Sequence, residues 1–124
     1  MFELLKIKLF GHQPSVKISS QLLDKLIVRD YKNDADIVKT KFENINSESQ
    51  AGKNRIAANI LKLAGKDINA LNGLIEKANA DSRDIIMWSE YPRCSKVGFD
   101  ELDKKSMKQI YLDDFIEYSN WLKK

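Results

Sequence analysis

Three carboxylates, two guanidinium groups and the chain's only thiol fall within the stretch DSRDIIMWSEYPRC, residues 81–94. Asp81, Asp84 and Glu90 are of the type that divides acid and base roles in hydrolysis without a metal. Cys94 follows Arg93, a neighbour that favours the thiolate. A second acidic set, Asp113, Asp114 and Glu117, lies downstream at helical spacing. Each set also has a plainer role. Asp81 and Asp84 stand where a helix begins, and acids there cap free amides and suit the helix dipole. Arg83 can neutralise them, and Arg55 can reach in from an upstream helix, so that Arg55, Asp81, Arg83 and Asp84 form a structural ion-pair network. In that network Asp84→Ala would orphan an arginine and destabilise the fold. One basic neighbour does not make a reactive thiol, and a free cysteine is commonly buried and inert.

Other chemistries lack their parts. A zinc site needs three or four Cys or His side chains, and the sequence has one of each. His12 sits between Gly11 and Pro14 in a turn, which places it on the surface without a nucleophile to serve. Asp100, Glu101 and Asp103 do not have the alternating spacing of a calcium loop and read as decoration of a helix start. There is no Gly-rich phosphate loop and no nucleophile elbow. The expectation is a protein that is not an enzyme and holds no metal or cofactor. Nucleic acid is a weak candidate. Residues 1–62 carry 11 basic and 7 acidic side chains and residues 63–124 carry 10 and 11, so no basic stripe gathers. The aromatic residues stand among acids, as in Trp88-Ser89-Glu90-Tyr91, rather than among lysines.

The elements that must position these residues are helical. The chain has 124 residues, 43% hydrophobic and 31% charged, which fits a single soluble domain over 1–124. No window is apolar enough for a membrane span, the N-terminus lacks the marks of a signal peptide, and a lone cysteine points to a reducing, cytoplasmic setting. Ser47-Glu48-Ser49-Gln50 has capping-box spacing with Ser47 as cap. Ile56, Ile60, Leu63 and Ala64 follow on one helical face, and Gly65 supplies a left-handed stop. Asp67 restarts a helix bearing Ile68, Leu71, Leu74, Ile75 and Ala78, so the two should form an antiparallel hairpin. Asp81 or Ser82 opens a third helix that Pro92 ends, with Cys94 to Gly98 as a loop. Upstream, Ser20 and then Asn33 or Asp34 are expected caps. Residues 2–18 fit a helix or a hairpin, with helix favoured, and the C-terminal segment through Trp121 reads as a core helix. The expected fold is all-α, a compact single-domain bundle of about five to seven helices around a central helical hairpin.

The run GKNRIAANILKLAGKDINALNGLIEKANADSRDIIMWSEYP, residues 52–92, resembles a pattern in small uncharacterised bacterial helical proteins. The resemblance rests on Arg55, the LKLA stretch Leu61 to Ala64, Gly65, the D-x-R-D segment Asp81 to Asp84, and Glu90-Tyr91-Pro92. Such proteins are similar in size and style to immunity proteins, which bind and neutralise a toxin. The resemblance implies a non-enzymatic protein binder whose partner is a cognate toxin. Its expected contacts are Glu90, Tyr91, Asp113, Asp114, Glu117 and Tyr118, an acidic and aromatic set suited to a basic partner. The alternatives are a nucleic-acid-associated helical protein and a structural or oligomerising domain.

Overall fold

Every regular element among the described residues, 16–97 and 104–124 of a computed structural model, is helical. His12, the Asp100–Asp103 acids and most of the 2–18 segment lie outside those residues. Val16, Lys17 and Ile18 are neither helix nor strand. The contacts gather into two units, Val16–Ile86 and, among the described residues, Met87–Lys124.

In the first unit, serine hydroxyls start the two longest helices. Helix α1, Ser20–Tyr31, is capped by Ser19, whose Oγ accepts from the Leu22 amide at 3.1 Å, one residue ahead of the expected Ser20. It buries Leu26, Ile27 and Tyr31. A 3₁₀ turn, Lys32–Asp34, leads into α2, Ala35–Phe42, which buries Val38 and Phe42. Helix α3, Gln50–Ala64, starts at Ser49 rather than Ser47. The Ser49 Oγ accepts from the Gly52 amide at 3.0 Å. A Cβ at Gly52 would lie 2.6 Å from the Ser47 Oγ and 3.1 Å from the Ser49 Oγ, so the glycine admits both hydroxyls at the helix start. Gln50 is unable to complete a capping box because its side chain donates to Asn54 Oδ1 at 2.8 Å.

Helix α3 is the centre of this unit. It packs on α1 and on α4, Leu71–Ala80, and it buries Ile56 to Leu61 without a break. Fully buried aliphatic side chains such as Leu26, Ile27, Ile60, Leu61 and Leu71 each stabilise the fold by about 1.5–3 kcal/mol. Gly65 ends α3 at φ 57°, ψ 41°, the left-handed geometry the sequence called for. Asp67 then caps a 3₁₀ turn, Ile68–Ala70, accepting from the Asn69 amide at 2.9 Å before α4 begins. The connection into α3 is pinned to α4 by Asn79, which accepts from the Asn46 amide and donates to the Asn44 carbonyl, both at 2.9 Å.

Helix α5, Ser82–Glu90, runs across the boundary into the second unit. There α6, Pro92–Val97, occupies the stretch expected to be loop, and α7 covers Lys104–Lys123. The two pack against each other.

Candidate partner-binding surface

Pro92 explains both the end of α5 and the helix that follows. The residue before a proline is pushed out of helical geometry, so α5 stops before Tyr91. The proline ring itself is preset for a first helical position, where its missing N–H costs nothing. The next two amides still need acceptors, and α7 supplies them. Asp114 Oδ1 accepts from the Arg93 amide at 3.1 Å and Oδ2 accepts from the Cys94 amide at 3.2 Å. The same carboxylate takes the Arg93 Nη1 at 3.1 Å, and Glu117 Oε1 lies 3.5 Å from that nitrogen. The hydrogen bond to Asp114, with the Glu117 charge adding, holds the Arg93 guanidinium above its ordinary value. Burial, reinforced by Asp114, pushes the Cys94 thiol up to about 12. Cys94 is therefore a protonated core thiol, and Arg93, spent on the carboxylates, does not activate it.

Half of the expected contact set lies inside. Asp114 is 0% exposed because it caps α6 from another helix. Tyr118 is 1% exposed, its ring stacked on Trp121 at a centroid distance of 5.9 Å. Glu90, 3% exposed, is drawn inward with Ser89 where α5 gives way to α6. These three are corrections to the expectation of surface residues. Tyr91 is half-buried, its ring edge-on to Tyr111 at 6.0 Å. Asp113 and Glu117 retain partial exposure, and Asp113 Oδ1 accepts from Gln109 Nε2 at 2.9 Å, one helical turn away.

The ion-pair network is smaller than expected. Arg83 turns back on Asp81 with two donors, Nε to Oδ1 at 3.0 Å and Nη2 to Oδ2 at 2.9 Å. Those hydrogen bonds hold the Asp81 carboxyl below its usual range. Asp84 is exposed, no hydrogen bond or ion pair joins it to another described residue, and it acts on Arg83 only through its charge. Removing it orphans nothing, which corrects the sequence-based prediction for Asp84→Ala. Arg55 is half-buried on α3.

Among the described residues four large apolar side chains are exposed, Val28 on α1 and Ile37 on α2 at 51%, and Trp88 on α5 and Ile116 on α7. Ile116 and Trp88 are each 41% exposed. Ile116 stands three residues after Asp113 and one before Glu117, on the helical face that also carries Gln109 and Asn120. That spacing was available in the sequence, and Asp113 and Glu117 were expected at the surface, but the surrounding aromatic residues made Ile116 itself read as core. The outer face of α7 thus has an apolar centre and an acidic border. Among the described residues, no group of three or more His, Cys, Asp or Glu side chains is placed to hold a metal ion, and no helix is long and apolar enough to cross a membrane. No protein-family model, curated protein or solved structure matches this chain.

Proposed function

We propose that this chain is a non-enzymatic protein-binding protein of the immunity type, one that binds and neutralises a cognate toxin through the outer face of α7. The observation that carries the reading is Ile116, an exposed aliphatic side chain bordered by Asp113 and Glu117 on one helical face. Binding energy at such surfaces concentrates on a few apolar or aromatic centres, while bordering charges steer the encounter and select the partner. Asp113 and Glu117 outnumber Arg93 at this face, which favours a basic partner, such as the cleft of a protein that acts on nucleic acid. Tyr91, packed on Tyr111, and the exposed Trp88 are further contact candidates of the side-chain type enriched at interfaces.

The test is co-expression with the product of the adjacent gene, followed by pull-down and growth assays. The wild-type chain should capture that product and relieve its toxicity. The double substitution Asp113→Lys, Glu117→Lys should weaken capture and flatten its salt dependence, and Ile116→Ala should weaken it without changing salt dependence. Capture by the double variant with affinity and salt dependence intact would remove α7 from the interface. Asp114 is left alone because reversing it would unfold α6.

A further inference from the structure

The exposed face of α7 carries a pattern that is its own complement. Gln109, Asp113, Ile116, Asn120 and Lys123 follow one another at alternating steps of four and three residues. That spacing keeps to one side of a helix and is the repeat of a coiled-coil seam. Gln109, Ile116, Asn120 and Lys123 are exposed and Asp113 is partly exposed, whereas Asp114, Phe115 and Tyr118, which lie off the stripe, are buried. Acid marks one end of the stripe, Asp113 with Glu117 beside it, and base marks the other, Lys123 with Lys124. Among the described residues, neither Asp113 nor Lys123 has an ion-pair partner within the chain, and Asp113 Oδ1 accepts from the neutral Gln109 amide.

A stripe with this polarity fits an antiparallel copy of itself. Setting Ile116 of one copy against Asn120 of the other fixes the rest by two-fold symmetry. Asn120 then meets Ile116, and each Asp113 meets a Lys123. All of these levels fall into register together, with an ion pair at each end and an Ile116–Asn120 layer on either side of the axis. A parallel pair would instead set Asp113 on Asp113 and Lys123 on Lys123. A nucleic acid or an anionic surface would meet Asp113 and Glu117 beside Ile116 and be repelled there. The antiparallel pair has one internal opposition, because the Glu117 side chains of both copies approach the axis, each with its own Arg93 Nη1 at 3.5 Å. Ile116 is the one apolar residue of the stripe, so the pair is weak and depends on chain concentration. We propose that two copies of this chain pair antiparallel through the outer face of α7, with Asp113 on Lys123 and Ile116 on Asn120. Pairing covers Asp113, Ile116 and Glu117 and so withholds that face from a toxin partner. This regulatory consequence rests on the protein-binding reading, and the pairing itself does not.

The experiment is analytical ultracentrifugation of the whole chain from micromolar to millimolar concentration, with zero-length carbodiimide coupling of the same samples. The reagent joins a carboxylate to an amine in contact with it. Within one chain Asp113 and Lys123 are separated by roughly 15 Å along α7, out of such reach, so an Asp113–Lys123 amide reports a second copy. The expected result is a reversible monomer–dimer equilibrium with that crosslink in the dimer. Lys123→Asp, at an exposed position, should weaken pairing by roughly tenfold, and combining it with Asp113→Lys should restore it. Glu117→Gln, which relieves the opposition at the axis, should tighten it. A chain that stays monomeric at millimolar concentration, or a dimer that lacks the crosslink and is indifferent to Lys123→Asp, overturns the proposal. Lys123→Asp leaves Asp113, Ile116 and Glu117 in place and should capture the adjacent gene's product at least as well as the wild type. Capture without any pairing removes the dimer and spares the protein-binding reading, and pairing without capture does the reverse.

Discussion

Replacing Asp114 by alanine tests the account of how α6 is held. The helix has six residues, far too few to persist alone in water. The Asp114 carboxylate satisfies the Arg93 and Cys94 amides and one guanidinium donor while fully buried itself. Losing a helix cap costs about 1 kcal/mol, and leaving a second amide without an acceptor in a buried place adds about 1–3 kcal/mol. Arg93 keeps Glu117 at 3.5 Å, so its charge is not orphaned and contributes little further loss. The expected destabilisation is about 2–4 kcal/mol for Asp114→Ala. With a urea dependence of about 1.5 kcal/mol/M, that lowers the midpoint by roughly 1–3 M. Asp114→Asn keeps one acceptor but turns an amino group towards a donor, and should fall between alanine and wild type. Hydrogen exchange at the Ser95 amide, which donates to the Tyr91 carbonyl at 2.8 Å, should accelerate in step. Asp84→Ala is the control, an exposed acid whose loss should leave the midpoint where it was. If Asp114→Ala shifts the midpoint no more than Asp84→Ala does, the capping argument is wrong.

Three further outcomes follow from described groups. The Cys94 thiol, ordinarily near 9.0, is held up to about 12, and the Tyr31 phenol is raised by burial from 10.0 to about 12. The unfolded chain releases these protons first, so their stabilisation is complete below about pH 9 and is lost as pH rises towards 12. Urea midpoints should therefore fall as pH rises from about 9 towards 12, and Cys94→Ala should flatten part of that slope. Asn54→Ala removes the groups that meet Ile18, Ser20 and Gln50 and should cost about 1–3 kcal/mol, read from the urea midpoint. Gly65→Ala meets open space, yet its φ of 57° is strained for a residue with a Cβ; a loss of about 1 kcal/mol by thermal or urea melting is expected.

What the sequence disclosed divides along the range of the interactions. Gly65, Asp67 and Pro92 act on their immediate neighbours, and all three boundaries stand where local chemistry puts them. The caps of α1 and α3 shifted by one and two residues because nearby serines offer the same hydroxyl chemistry, and at α3 Gly52 leaves room for both Ser47 and Ser49. Helix α6 was invisible because its acceptor is on α7, so no local pattern announces it. The candidate surface failed for the same reason. Asp113 and Asp114 are adjacent and chemically identical, but one faces outward on α7 and the other is consumed by α6.

The long reach of the Asp114 cap has a directional consequence. Helix α6 is spelled out at 92–97, but the group that completes it arrives only at position 114. A chain emerging from the ribosome carries every residue of α6 well before it can hold that helix. A premature stop at any codon from 98 to 114 would strip a helix whose own residues are all present. Damage at the C-terminal end thus travels upstream, and the apparently dispensable last tenth of the chain sets the earliest moment at which the second unit can close.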